Sequence, residues 1–284
     1  MADDGEGNKE NGIKRLQFRM PEKRQVVAKI PKVHDLVSGT HIIRPSDTVV
    51  AKIGSATLVV GVDIETHDWE GKAREMCNGR FGFFHIFHPD NLKQRIVQIG
   101  WAIGEAAEGA PLSEQAELLI QPAGFNISPK ATHKHGISND RANSEGLPLR
   151  VALGRFMDAL CLVDSLGGRL VVHHLEFDAG IIDNELENAG LHHLRPRWCE
   201  IARKGFCTMD PDVGAWVQAC RGRDVQRGED GRQALSLAKA VNLLVPKDEA
   251  TQHLLQNAHT AGADAQLHRL VYIALLSLLR ESGA

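Results

Sequence analysis

An apolar, β-branched run that ends in two carboxylates constrains the fold of this chain more than any other feature. Residues 57–63 read Thr-Leu-Val-Val-Gly-Val-Asp, and Glu65 follows Asp63 by two positions. This composition predicts a buried strand. Alternate residues of a strand point to one face, so the two carboxylates lie side by side. They repel each other unless a cation sits between them, and hard oxygen ligands suit Mg²⁺ or Mn²⁺. A solvated strand end is the alternative for this pair taken alone.

The segments that follow predict a layered α/β fold. Further strands are indicated at 95–103, 116–120, 169–173 and 207–209, and helices at 149–162, 176–189, from 211 onward and at 261–280. Strands come first, and strands and helices then alternate. This order predicts a mixed sheet with helices on its faces.

The first part of the chain differs in charge from the rest. The net charge of −3 over 284 residues gives no overall attraction to nucleic acid. Residues 13–33, however, contain seven basic residues and one acid, and residues 1–12 are polar and rich in Gly and acids. This pattern fits an arm that follows a phosphate backbone. It fits equally well a solvated arm that packs on the domain or serves as a weak nuclear-import signal. We therefore predict a partly disordered, basic N-terminal arm at 1–50 and a folded domain at 51–284.

A long connection separates the first two predicted strands. It runs over about 67–93, much longer than a normal hairpin loop, and we interpret it as an insertion. It contains four phenylalanines, at positions 81, 83, 84 and 87. These aromatic rings either stack on unpaired bases or anchor the insertion to its own domain.

The sequence shows no signs of secretion or of membrane insertion. No signal-peptide core follows Met1, and no apolar run reaches the ~18–20 residues that a membrane span needs. The five cysteines have no metal-binding spacing and are interpreted as free thiols. We expect a soluble protein of a reducing compartment, cytoplasmic or nuclear, without a membrane partner.

Three more residues complete a candidate site. Asp178 follows a predicted strand at the start of a helix, where a carboxylate can also serve only as an N-terminal cap. Asp264 lies in the first turns of the last helix, where acids are ordinary. His259 precedes it by five residues, so its ring can lean over a site to which Asp264 contributes.

Taken together, these motifs resemble those of the DEDDh exonucleases, the DnaQ-like family within the RNase H-like superfamily. The resemblance covers roughly residues 57–280 and rests on Asp63-Ile64-Glu65-Thr66, on Phe177-Asp178 and on His259 with Asp264. Two weaker similarities are Ile96-Val97-Gln98-Ile99-Gly100 and His135-Gly136-Ile137-Ser138. The family implies an RNase H-like mixed five-stranded sheet flanked by helices.

The resemblance also implies a role for each matched residue. Asp63, Glu65, Asp178 and Asp264 would bind two divalent cations, Mg²⁺ or Mn²⁺, and His259 would be the general base. Ile64 and Thr66 would contact the terminal nucleotide, and His174 and Phe177 lie at the matched substrate positions. The chain departs from the family at His174, where Asn is usual, and at Gln98, where Glu is frequent; neither removes a metal ligand.

The resulting hypothesis is a 3′-to-5′ exonuclease that releases nucleoside 5′-monophosphates from single-stranded DNA or RNA ends. The His-Gly-Ile-Ser turn favours DNA slightly. The alternative is a catalytically silent nucleic-acid-binding or scaffold protein with the same fold. Because pseudoenzymes usually lose a ligand or the base, and this chain has all five groups, the enzyme is the favoured hypothesis. Protein partners are not indicated by the sequence.

Overall fold

A computed structural model describes residues 43–68, 94–221 and 235–283. Most of the predicted N-terminal arm, the four phenylalanines of the insertion and the polar, glycine-rich segment near residue 230 lie outside these residues. Helix α1, Asp47–Ile53, spans the predicted boundary between arm and domain, and Val49 and Ile53 are buried in the core.

Five strands form one mixed sheet, as the sequence predicts. They are β1 Leu58–Thr66, β2 Ile96–Glu105, β3 Leu112–Leu119, β4 Arg169–Val172 and β5 Phe206–Cys207. The sheet order is β3-β2-β1-β4-β5. The first three strands are antiparallel, and β4 and β5 run parallel to β1. The buried strand β1 is therefore central, and its end carries Asp63 and Glu65.

Nine further α-helices are present in the described residues. They are α2 Pro129–His135, α3 Asn139–Glu145, α4 Leu149–Ser165, α5 Leu175–Asn188, α6 Arg195–Lys204, α7 Pro211–Cys220, α8 Leu237–Leu244, α9 Glu249–Gln256 and α10 Ala261–Glu281. The sequence predicted α4, α5, α7 and α10. It missed the other five and α1, all of ten residues or fewer, because short segments carry too little periodicity to stand out.

The two faces of the sheet are covered by different helices. Val60, Val62 and Ile64 of β1 pack with α4, α5 and α6 in one core. Val59 packs with α1, α7, α8 and α10 in a second core on the opposite face. Because side chains alternate along a strand, Asp63 and Glu65 lie on the same face as α10.

Helix α10 approaches the sheet closely because two facing residues are glycines. Gly61 of β1 lies against the Ala265 carbonyl, and Gly100 of β2 lies against Ala261, with no space for a Cβ at either position. This contact brings the start of α10 to the carboxylate end of β1. None of the helices in the described ranges is long and apolar enough to cross a membrane.

Candidate active site

The end of β1 supplies two acids on one face. Asp63 pairs with Gly100 and Glu65 pairs with Gln98 in the register between β1 and β2. Glu65 is buried, and the side chain of Asp63 is 15 % exposed. The register shifts after Glu65, so the strand becomes irregular at Thr66. The two carboxylates thus lie on one face of the sheet at the end of β1.

The start of α10 is held on the sheet by side-chain acceptors. Gln98 Oε1 of β2 accepts a hydrogen bond from Ala261 N at 2.9 Å, and Glu117 Oε2 of β3 accepts one from Gly262 N at 2.9 Å. The hydroxyl of Thr260 caps Ala263 N at 3.4 Å. The first three N–H groups, which a helix leaves unpaired, are therefore all satisfied. This arrangement fixes the position of Asp264 one turn further on.

His259 and Asp264 lie together above Glu65. One ligand-type atom from each of Glu65, His259 and Asp264 lies within 4.8 Å of the other two. His259 is exposed and adopts a left-handed backbone conformation with φ of 70°, and its N–H donates to Asp264 Oδ2 at 3.3 Å. A left-handed φ is uncommon for a non-glycine residue and marks a constrained position.

Asp178 enters the site from α5 and is not that helix's cap. The cap residue is His174, which has φ of 73° and makes no side-chain cap hydrogen bond. Asp178 is 5 % exposed, and its Oδ2 has no hydrogen-bond partner among the described residues. The same is true of Asp264 Oδ1. His174 and His259 are the two non-glycine residues with positive φ in the described part of the chain, and they precede Asp178 and Asp264 by four and five residues.

The four acids interact electrostatically in a buried setting. Burial, reinforced by the charges of Asp178, Glu65 and Asp264, raises the pKa of Asp63 well above its ordinary value. Burial, followed by the charge of Glu65, likewise raises the pKa of Asp178 well above its ordinary value. Burial also raises the pKa of Glu65 to about 8 and that of Asp264 to about 6. Acids grouped in this way keep their protons to higher pH than isolated acids do, unless a cation replaces the protons.

Two residues of α2 border this cluster. His135 Nδ1 accepts from Ile137 N at 3.1 Å, so its other nitrogen, Nε2, carries the hydrogen and donates to the Thr66 carbonyl at 3.2 Å. This bond fixes α2 at the end of β1. The charge of the adjacent Lys134 acts to lower the pKa of all four acids. The His-Gly-Ile-Ser turn is recognisable in the sequence, but no local pattern indicates that Lys134 and His135 border the acids.

The predicted substrate-contacting residues have different surroundings. The side chain of Ile64 is buried in the core beneath the sheet, so only its backbone faces the site. Thr66 donates its hydroxyl to the Asp68 carbonyl at 3.0 Å. The His174 and Phe177 rings are stacked, 5.5 Å apart and 3° from parallel, and Phe177 also packs on the core.

A divalent cation fits the residues that are present. Two buried carboxylate oxygens have no partner among the described residues, and the ligand atoms of Glu65, Asp264 and His259 lie within 4.8 Å of one another. The energetic cost of burying unpaired acids is offset when a cation binds between them. Asp63, Glu65, Asp178 and Asp264 have the donor chemistry for Mg²⁺ or Mn²⁺.

Solved structures of exonuclease I share this fold. E. coli exonuclease I in complex with a dA16 oligonucleotide has a TM-score of 0.54 and 13 % identity, over 79 % of this chain and 42 % of that one. The same enzyme with a dT13 oligonucleotide has a TM-score of 0.54 and 14 % identity, over the same shares of the two chains. The chain thus spans less than half the length of these proteins. No protein-family model matches the sequence, and no curated protein is similar to it in sequence. At this identity the likeness shows the fold, which confirms the predicted RNase H-like architecture.

Proposed function

We propose that this chain is a metal-dependent 3′-to-5′ exonuclease of the DEDDh type that acts on single-stranded nucleic acid. One observation carries the proposal. Four interacting acids, three of them buried, and an exposed histidine lie at the end of the central strand of an exonuclease I-like fold, and two of the buried carboxylate oxygens have no partner among the described residues. Unpaired buried acids destabilise a protein, and active sites are where such groups are concentrated.

The proposed ligands are Asp63, Glu65, Asp178 and Asp264. Asp63 and Glu65 lie on β1, which is paired with a strand on each side. Asp178 lies on α5, which follows β4, and Asp264 lies on α10, which packs closely against Gly61 and Gly100. When bound, two divalent cations polarise the scissile phosphate, activate the attacking water and stabilise the leaving 3′-oxygen. The protein contributes the fixed geometry of the four carboxylates.

His259 is proposed as the general base. Burial and the charge of Lys134 lower its pKa below the ordinary value of 6.5, so the imidazole is neutral at neutral pH. A neutral ring can accept the proton of the attacking water. The hydrogen bond from His259 N to Asp264 Oδ2 holds this backbone beside a proposed metal ligand. His259 is exposed, and a general base needs this exposure because it must reach the substrate and the attacking water.

The proposed substrate is a single-stranded 3′ end of DNA or RNA, and the product is a nucleoside 5′-monophosphate. A single strand reaches a recessed site without the cost of unpairing a duplex. The exonuclease I structures contain the single-stranded oligonucleotides dA16 and dT13, which supports this class of substrate. The backbone at Ile64 and Thr66 and the stacked rings of His174 and Phe177 are the proposed contacts for the terminal nucleotides.

The test is a sequencing-gel assay of the full chain on 5′-labelled single-stranded DNA and RNA of matching sequence. Reactions contain Mg²⁺, Mn²⁺ or EDTA, and the variants are Asp63→Ala and His259→Ala. We expect a metal-dependent ladder that shortens from the 3′ end. Asp63→Ala should abolish it, and His259→Ala should slow it by about 10²–10⁴-fold.

The outcomes separate the hypotheses. Activity like that of wild type in either variant would exclude the proposed site. Intact substrate in every metal condition, together with retained binding of single strands, would instead support a catalytically silent binding or scaffold protein. The faster of the two substrates identifies the preferred sugar.

A further inference from the structure

A buried histidine lies directly behind the candidate metal site and has no part in the proposed reaction. His268 follows Asp264 by one turn of α10 and is 1 % exposed. Its Nδ1 is 2.8 Å from the Val62 carbonyl oxygen. Because a carbonyl can only accept, Nδ1 carries the hydrogen and the ring is held in one tautomer. Its other nitrogen, Nε2, is 3.8 Å from Asp63 Oδ1.

A second histidine supports this ring from behind. The His173 ring lies 6.0 Å from that of His268 and is tilted by 31°. His173 Nδ1 is 2.8 Å from the hydroxyl of Thr208, which is 3 % exposed and whose N–H donates to the Val172 carbonyl at 2.9 Å. His268 is therefore confined between β1, the end of β4 and its own helix.

The contact between His268 and Asp63 is one of packing and not a hydrogen bond. At 3.8 Å the two atoms are too far apart for a hydrogen bond. The ring therefore packs against the Asp63 carboxylate without forming a hydrogen bond to it.

We propose that His268 is a positioning residue: anchored on the Val62 carbonyl, its ring forms a rear wall that holds the Asp63 carboxylate facing the divalent-cation site. The inference rests on the proposed function, since it requires that Asp63 binds a cation. Residues that orient metal ligands from behind typically change metal affinity by 10–100-fold when they are substituted.

Two substitutions separate the packing of His268 against Asp63 from its hydrogen bond to Val62. In His268→Asn the side-chain amide can still donate to Val62, but the half of the ring that faces Asp63 is removed. In His268→Phe the ring remains, but the hydrogen bond to Val62 is lost. Tyr272→Phe is the matched control, because Tyr272 lies one further turn along α10, is fully buried and donates to the Ile53 carbonyl at 3.0 Å.

The experiment measures Mn²⁺ affinity of the full chain by electron paramagnetic resonance, together with thermal unfolding in EDTA. We expect His268→Asn to weaken Mn²⁺ binding about tenfold with little loss of thermal stability. His268→Phe should lower the unfolding temperature and retain more of the Mn²⁺ affinity. Tyr272→Phe should lower the unfolding temperature and leave Mn²⁺ affinity as in wild type.

Two results would overturn the positioning role of His268, and only the second would also overturn the proposed function. Wild-type Mn²⁺ affinity in His268→Asn would overturn the positioning role alone and leave the proposed function intact. A wild-type chain that binds no Mn²⁺, or binds it equally well after Asp264→Asn, would overturn the proposed function as well.

Discussion

Two of the buried acids of helix α5, Asp178 and Glu185, lie two turns apart and have opposite surroundings. Glu185 is fully buried and is paired with Arg95, whose Nε lies 2.6 Å from its Oε1, and with the N–H of Ile96 at 3.2 Å. Asp178 is 5 % exposed, and its Oδ2 has no partner among the described residues. The same helix therefore holds one acid whose charge is compensated and one whose charge is not.

The difference in pairing distinguishes an acid that is buried for stability from one that is buried for function. A buried charge is costly unless it is paired, and a cost with no compensation inside the fold points to a partner outside it. Glu185 connects α5 to the start of β2 and stabilises the fold. Asp178 and the acids around it destabilise the metal-free chain, and we attribute their presence to cation binding.

Neutralising Asp178 should have the largest effect on activity. We expect Asp178→Asn to reduce hydrolysis of single-stranded substrate below detection, because one of four cation ligands is lost. Its unfolding temperature in EDTA should equal or exceed that of wild type, since the substitution removes an unpaired buried acid. Gel assays and thermal unfolding check the two halves of the prediction. Retained activity would remove Asp178 from the site.

Neutralising Glu185 is the matched control and should lower stability while leaving hydrolysis nearly unchanged. Glu185→Gln leaves Arg95 without its anionic partner, and breaking a buried pair from one side costs about 3 kcal/mol. We expect a clearly lower unfolding temperature and hydrolysis close to wild type at a temperature where the variant is folded. If Glu185→Gln abolished turnover in the folded protein, the distinction between the two acids would fail.

The pH dependence of stability should reveal the unpaired acids. The pKa of Glu65 is about 8 in the folded chain and near its ordinary 4.5 when unfolded, so the folded chain binds more protons between these values. Stability without metal should therefore fall as pH rises from about 4.5 to about 8, and Glu65→Gln should flatten that slope. Thermal unfolding in EDTA across this range measures it. An increase in stability over the same window would show that Glu65 is not held in this way.

Removing the charge of Lys134 should produce the smallest effect. Its positive charge favours the ionised acids but repels a divalent cation that binds among them. We expect Lys134→Met to tighten Mn²⁺ binding a few-fold in the absence of nucleic acid. Lys130→Met, at an exposed position one turn earlier on the same helix, is the control and should leave the affinity unchanged. Weaker Mn²⁺ binding in Lys134→Met would assign the ammonium a supporting role instead.

The described fold agrees with most of what the sequence predicts. The five strands are detectable because each is a short β-branched or apolar run, and the long helices because their apolar residues recur with helical spacing. β3 begins at Leu112, four residues earlier than predicted, because its polar, alternating first half does not look apolar. The ranges of the basic arm and of the four phenylalanines remain predictions.

The sequence by itself determined which acids and which histidine are available, and on which strand and helices they lie, because local pattern and spacing encode these properties. Only the tertiary structure decided that Gln98 and Glu117 hold the start of α10, that Lys134 borders the acids and that His268 backs Asp63. These contacts join residues that are distant in the chain, some by more than 140 positions. They follow from the glycine-lined approach of α10 to β1 and β2, which no local pattern expresses.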